Sequence, residues 1–555
     1  MTRKSYLILV VVLFAMCSYL GLYNLGGVSF WDDEAYTAKM ARSYLKYGYF
    51  AAWDGTNLYT YRNGGLIRND LTANPQPMDV WMCAAAFKLF GESNFSARIL
   101  FCLSGLAAFW LFFLILEQEF RDRWWLKTWI ILVFAFSITY LLNLRQARYY
   151  SSILFFSLWA FYFYLRTLDR KAWYDFLMVG VGAALAFFAH PSMTASFLVA
   201  LGVAHLIFYP KVWGRREWLW CLGGIVLLFA LTLPDAIGRT IWIRHDFDVI
   251  YNQPPLIRFF IKLWRNLRDL NSMHAYPWTL FLVTIVLIWK QRPKDEAFKK
   301  IRFWFTFAAI NCVGIVASGP QPVNGPAFSD VRYLLMTVVF LFVLLGWTFY
   351  ILHQYSRVVT WVLFGVFVTS SALSYVPPGW AKPYSVFKWT LPGLIYEIHN
   401  DYPTAYSETL KYINDNIPAG STIFAHPEYT MVPFLFYTKD KYQYVGGLNR
   451  YTHLDRSVVT RLSPKFYIEE AYPDWVILVG FPEDSMSIIN TVFSVPHLEG
   501  NKWVEYGYDY ITTIPVYWDQ TQRPELFSHN FGPVKINKDT IKQVYIFKRQ
   551  TVSIN

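Results

Sequence analysis

The chain has 555 residues, 55% of them hydrophobic and only 16% charged, which excludes an ordinary soluble domain and exceeds the usual size of one. An aromatic content of 20% sets many Trp and Tyr rings beside apolar runs, where amphipathic rings favour a bilayer interface. The formal charge of +12 is spread over the connections between those runs, with no soluble basic patch, so a nucleic-acid partner is not expected.

After Arg3 and Lys4, the apolar run Tyr6–Gly26 is long enough to span a bilayer and lacks a small-residue cleavage site, so it reads as a retained helix. Residues 27–96 then form a first outer loop that opens on "FWDDEAYTAKMARSYLKYG", with Asp32, Asp33 and Glu34 in succession. Further apolar runs cover Ala97–Leu116, Trp129–Leu144, Ser151–Leu165, Trp173–Phe188, Met193–Tyr209 and Leu219–Leu233. A second outer loop, 234–277, precedes the runs Trp278–Trp289, Phe303–Ala317, Leu334–Leu352 and Val358–Tyr375. At roughly 20 residues per crossing this makes about eleven transmembrane helices. The five cysteines, Cys17, Cys83, Cys102, Cys221 and Cys312, show no CxxC spacing, so neither a disulfide framework nor a structural zinc site is expected.

Short basic connections mark the cytoplasmic side: "RDRWWLK" from Arg121, "RTLDRK" from Arg166, "KVWGRR" from Lys211 and "KQRPKDEAFKK" from Lys290. The acidic triplet then lies outside the cytoplasm, and an odd number of spans puts the tail there too. Beyond the linker "VPPGWAKP", "SETLKYINDNIPAG" reads as a helix ending at Gly420, and "STIFAHP", "DWVILVG" and "QVYIFKR" read as strands. The expected fold is thus mainly α: a polytopic membrane domain over 1–376 and an extracytoplasmic α/β domain over 377–555.

Acids at a helix N-terminus gain from its free N–H groups and dipole, yet three exceed what one cap needs. Arg145 and Arg148 in "NLRQARYYS", followed by Tyr149, and Arg332 in "SDVRYLL" sit at outer ends of spans, against the positive-inside tendency. Guanidinium forks at helix ends suit an anionic ligand such as phosphate. In "RFFIKLWRNLRDL", Arg258, Lys262, Arg265 and Arg268 share one helix face while Phe259, Phe260, Leu263, Trp264 and Leu267 fill the rest, the pattern of an interfacial helix drawn to headgroups or to the same phosphate. Nucleotide-activated donors are not expected outside the cytoplasm, so a phosphate at this site arrives on a lipid, and a lipid-linked phosphosugar fits.

Four segments in order, "WDDEAYTAKMARSYLKYG", "NPQPMDVWMCAAAFKLFGESNFSARIL", "RQARYY" and "DVRYLL", resemble the GT-C glycosyltransferases of the protein O-mannosyltransferase and lipid A aminoarabinose transferase type. The resemblance implies a catalytic carboxylate at Asp33 with Glu34 as its neighbour; Asp32 is an extra acid that leaves the register open by one. Gln76-Pro77 stands where the family has Pro-Pro. The implied donor is a polyprenyl-phosphate sugar, as on undecaprenyl phosphate, and the implied setting is cell-envelope glycosylation at a bacterial inner membrane.

In such a reaction Asp33 takes the proton of an acceptor hydroxyl, and fixed cations stabilise the leaving phosphate. Direct displacement inverts the anomeric centre, whereas a second carboxylate acting as nucleophile retains it. No cofactor is required, although Asp33 or Glu34 with His190 or His274 offers ligands for a divalent metal. The stronger reading of these histidines is local hydrogen bonding at helix ends. The acceptor is a lipid, a glycan or a protein side chain. The competing function is a transporter or flippase of a lipid-linked or anionic solute, against which stand the absence of repeated halves and the placing of charges at outer ends. The C-terminal domain, read as a binding module, would recognise acceptor or cover the site.

Overall fold

The computed structural model describes residues 2–58, 69–73, 75–220, 223–224, 226, 254–272, 274–291, 296–318, 331–374, 387–400, 404–426, 430–445, 472–480, 497–499, 502–516 and 542–554. The helices of its first half are α1 (Arg3–Leu22), α2 (Asp32–Tyr47), α3 (Pro77–Phe90), α4 (Asn94–Glu119), α5 (Trp124–Ala135), α6 (Ile138–Asn143), α7 (Tyr149–Arg170), α8 (Trp173–Ala189) and α9 (Pro191–Phe208). They are followed by α10 (Pro255–Ser272), α11 (Trp278–Gln291), α12 (Glu296–Ser318), α13 (Leu335–Tyr355), α14 (Arg357–Thr369), α15 (Leu391–His399), α16 (Ala405–Asn416) and α17 (Met431–Thr438).

Among the described residues six helical stretches are long and apolar enough to cross a membrane: α1, α4, α7, α9, Phe298–Ser318 of α12, and Arg332–Tyr355 with α13. The chain is a multi-pass membrane protein. The expectation of about eleven spans is met only in part. The apolar helices α5, α8, α11 and α14 are shorter than a full crossing, and Leu219–Leu233 lies largely outside the described residues. The expected single run Trp129–Leu144 is two helices. The ladder breaks after α5, and Ser137 restarts it by accepting the N–H of Tyr140 at 3.3 Å.

Helix α13 is the centre of the bundle, with nearly every side chain buried. Its approach to α5 depends on Gly346, where an added Cβ would meet Ile130 Cα at 2.5 Å. Small residues at such crossings let helix backbones touch, which is how packing stabilises helices in an apolar solvent.

Outside the long helices, α2 begins with its acids in the first turn and ends at Gly48, whose φ of 77° suits the left-handed closing position. Trp31 is the N-cap and supplies no side-chain bond, and Asp32 is the first helical residue and half-buried.

The tail forms a mixed six-stranded sheet of β1 (Thr422–His426), β2 (Gln443–Tyr444), β3 (Trp475–Gly480), β4 (His497–Glu499), β5 (Lys502–Val516) and β6 (Lys542–Ile554), in the order β2-β1-β3-β6-β5-β4. Strand β1 is parallel to β2 and β3, and β6 is antiparallel to β3 and β5. The continuous apolar strand "WVILVG" is what a doubly covered position requires.

Sheet and outer loop share one core: Phe30, Ala35 and Phe87 cluster with Phe434, Ile423 and Ile477. The Asn57 amide donates to Tyr442 O at 3.0 Å and accepts from Tyr444 N at 2.7 Å, extending the edge at β2. Helix α17 packs on α2, where Arg42 donates to Phe436 O at 3.0 Å.

Candidate active site

Three separate elements converge on the first turn of α2. Asp33 is only 2% exposed. Its Oδ2 lies 3.0 Å from Arg332 Nη1 and 3.4 Å from Arg148 Nη2. Arg332 belongs to the 3-10 turn Val331–Leu334 before α13, and Arg148 is the N-cap of α7, so both arrive at the starts of long helices. Positions 148 and 332 are thereby fixed by the bundle, while Asp33 is fixed by the outer loop.

Second contacts orient the cations. Arg148 Nη1 donates to Thr37 Oγ1 at 3.2 Å, one turn beyond Asp33 on α2. Arg332 Nη1 donates to the Tyr150 hydroxyl at 3.0 Å, and its guanidinium carbon lies 5.6 Å from the Trp31 ring and 5.5 Å from Tyr333. Tyr149 packs among His190, with centroids 4.5 Å apart, and Tyr333, at 6.1 Å. The result is a buried charged cluster beside aromatic rings.

The neighbouring acid has a different fate. The sequence reading places Glu34 beside Asp33 as a catalytic or metal-binding group, but Arg98 grips it with Nε at 2.7 Å and Nη2 at 2.6 Å, one bond to each oxygen. The N–H of Ala147 adds a third bond at 2.8 Å. Arg98 also donates to Leu25 O and Val28 O. This bidentate pair ties the end of α1, the start of α2 and α4 together, and leaves Glu34 a structural residue.

Arg145 likewise departs from the phosphate-binding reading. Its guanidinium donates to Leu20 O at 2.6 Å, Gly21 O at 3.2 Å, Tyr23 O at 2.9 Å and Asn24 O at 3.2 Å. These are carbonyls that the end of α1 leaves without helical partners. On α10, Leu256, Ile257, Phe260, Trp264 and Leu267 are exposed while Arg258, Lys262 and Arg265 are half-buried, so the apolar stripe points away from the protein. Burial and the neighbouring Arg258 lower the Lys262 pKa. The helix touches the turn that carries Arg332.

The metal candidates separate as well. His274 uses both ring nitrogens, one with Ser374 Oγ at 2.7 Å and the other with Phe367 O, and burial lowers its pKa to about 4. That histidine is a structural group far in the chain from Asp33. His190 accepts the Met193 N–H at 3.3 Å through Nδ1, capping α9. With Glu34 and His274 both engaged, the proposed ligand set does not assemble, and no group of three His, Cys, Asp or Glu able to hold a metal occurs among the described residues.

Three residues escape sequence reasoning. Arg98 follows the Gly-Glu-Ser of the second motif, and its signal is a lone charge near the start of an apolar span. Tyr150 and Asp79 lie in motifs already singled out. Asp79 is 1% exposed in the first turn of α3, where its sign is a single acid within "QPMDVWMCAAAF".

Comparison with known proteins follows this geometry. Residues 73–237 match the family model described as dolichyl-phosphate-mannose-protein mannosyltransferase. No curated protein matches the sequence. Among solved structures, ArnT from Cupriavidus metallidurans bound to undecaprenyl phosphate is similar with a TM-score of 0.52 and 12% identity, over 90% of this chain and 96% of that one. Its apo state gives 0.50 and 12% identity, over 88% and 95%. Residues 73–237 are thus similar to a mannosyltransferase family model, and the chain shares the GT-C fold of ArnT, as the motifs imply.

Proposed function

We propose that this GT-C chain is an integral-membrane glycosyltransferase that moves a sugar from a polyprenyl phosphate to an extracytoplasmic acceptor, with Asp33 as general base. The observation that carries the reading is the buried Asp33 carboxylate held between Arg148 and Arg332, two guanidinium groups from separate helices. A structural ion pair needs one cation, as Glu34 and Arg98 illustrate. A site for an incoming phosphate needs cations in excess of the resident acid.

In the reaction the acceptor oxygen attacks the anomeric carbon while its proton passes to Asp33 Oδ. The bond from that carbon to the phosphate oxygen breaks, and its electron pair leaves with the phosphate, which gains one negative charge. Arg148 and Arg332 stabilise that charge in a water-poor site. Since Glu34 is fully engaged, single displacement with inversion is the simplest course.

ArnT holds undecaprenyl phosphate, and that chemistry makes a polyprenyl carrier the first donor to test. The short basic loops support an extracytoplasmic site, and the packing of α17 on α2 supports a role for residues 377–555 in covering and positioning the loop that bears Asp33. The test is transfer by purified protein in detergent, from a lipid extract containing radiolabelled polyprenyl-phosphate sugars. Label should reach acceptor with wild type and not with Asp33→Asn. A transporter forms no product in this compartment-free assay, and equal product from both proteins would remove Asp33 from the mechanism.

A further inference from the structure

Helix α15 opens the tail, in the stretch expected to be soluble, yet it is apolar on both sides. Its inner face, Leu391, Leu394 and Ile398, belongs to the main core of the bundle. On the opposite side Pro392, Ile395, Tyr396 and His399 have the i, i+3, i+4, i+7 spacing of a single helix face, and all four are exposed. Glu397, the one acid of the helix, is on the buried side. A stripe that faces water normally carries charge, whereas this one is apolar and aromatic. Phe387 and Trp389, just before the helix, add two exposed rings.

Both ends of α15 are fastened to the ends of apolar helices. At its start the Thr390 N–H donates to Thr369 O at 3.0 Å and Thr390 Oγ1 to Val368 O at 2.6 Å, both at the C-terminal end of α14. At its finish Asn24 Nδ2 donates to Ile398 O at 3.2 Å, the His399 ring stacks on Tyr23 with centroids 4.4 Å apart, and His399 Nε2 pairs with the Tyr19 hydroxyl at 2.6 Å. Tyr19 and Tyr23 continue the exposed stripe of α1 that runs through Ile8, Val12 and Ala15, the side that a membrane-crossing helix shows to lipid. Helix α10 meets the same level, where Asn271 Nδ2 donates to Ser374 O at 3.0 Å, and its apolar stripe also points away from the protein.

We propose that α15 is an interfacial helix whose Pro392, Ile395 and Tyr396 face, with Phe387 and Trp389, docks on the headgroup–acyl boundary of the leaflet in which α1 ends. Amphipathic rings and a helix lying in the plane suit that boundary. Lipid is the occupant because the face runs without a break onto the lipid-facing stripe of α1. The inference is independent of the reaction proposed above, and it moves the start of the water-exposed tail from residue 377 to beyond Asn400.

The experiment places a nitroxide on the full-length protein in nanodiscs of phosphatidylethanolamine and phosphatidylglycerol, through Ile395→Cys and, separately, Tyr396→Cys. Val12→Cys on α1 is the lipid reference, and Asp415→Cys, exposed on α16, is the water reference. The four cysteines among the described residues are buried, and unsubstituted protein sets the labelling background. At 395 and 396 collisions with oxygen should exceed those with a water-soluble nickel chelate, giving a depth of about 5–10 Å into the boundary, shallower than Val12. An excess of nickel collisions at both sites, as at Asp415, overturns the proposal. Weak collision with both reagents means that protein covers the face and overturns it too, with spin–spin broadening identifying a second copy of the chain. Pro392→Cys, on the same face, replaces either variant that does not fold.

Discussion

Two acid–arginine clusters flank the start of α2, built from consecutive residues, and they differ in how fully they are saturated. Around Glu34, one guanidinium and one backbone N–H occupy both oxygens at 2.6 to 2.8 Å, and Arg98 spends its remaining donors on backbone carbonyls. Around Asp33, two guanidinium groups approach one oxygen at 3.0 and 3.4 Å, and each also reaches a hydroxyl. The first arrangement is closed: every strong donor has its acceptor, and water or ligand would only disrupt it. The second sets two guanidinium groups against one carboxylate oxygen at longer contacts, which a second anion would shorten. Adjacent acids on one helix turn thus divide into a closed pair and a more loosely held one.

The sharpest way to break this comparison is to neutralise each acid in turn. Asp33→Asn should lower turnover by about 10²- to 10⁴-fold, the usual range for a lost general base, with a smaller loss of stability than Glu34→Gln because Arg148 and Arg332 keep their hydroxyl partners. Radiolabel transfer and thermal unfolding measure the two halves of that statement. Glu34→Gln should do the reverse, costing about 3–5 kcal/mol of stability by stranding buried Arg98, while the protein that remains folded keeps donor affinity. Loss of donor binding at full stability in Glu34→Gln would erase the distinction.

Smaller effects sharpen it. Arg332→Lys keeps the charge but loses the planar guanidinium whose Nη1 reaches both Asp33 and Tyr150, and should raise the donor KM by about tenfold. By contrast Arg145→Lys should leave KM within about twofold and act through the α1 terminus, lowering stability by about 1–3 kcal/mol. The mildest change is Tyr437→Phe. Its hydroxyl accepts the Phe30 N–H at 2.8 Å and donates to Asn94 at 2.8 Å, joining the tail to the segment before Asp33. Removing it should cost about 1 kcal/mol and lower kcat more than it raises KM, a split read from steady-state kinetics.

The bundle and three strands of the tail sheet were legible because long apolar runs and short apolar strands each bury a surface that composition announces, whereas β2, β4 and the long, polar-rich β5 were not read. The helix over Ala405–Asn416 and strands β1, β3 and β6 fall on the segments that the turn residues bracket. Convergence of Asp33, Arg148 and Arg332 was legible from charge placed against the orientation rule. What sequence could not separate was Arg145 from Arg148, three residues apart in one motif. Only the fold shows that one meets the carbonyls of α1 and the other meets Asp33. The same limit applies to Glu34, whose partner Arg98 is 64 residues away. Pairing across a helix bundle is a three-dimensional fact that periodicity along the chain does not encode.

The central claim is that Arg148 and Arg332 hold the phosphate of a polyprenyl-linked sugar next to Asp33. Native mass spectrometry of the protein purified from its own membranes tests it most directly. Wild type should carry a polyprenyl-phosphate species, lost on substituting Arg148→Ala and Arg332→Ala together. Retention of only bulk phospholipid by wild type, or of the same polyprenyl lipid by the double variant, would contradict the account.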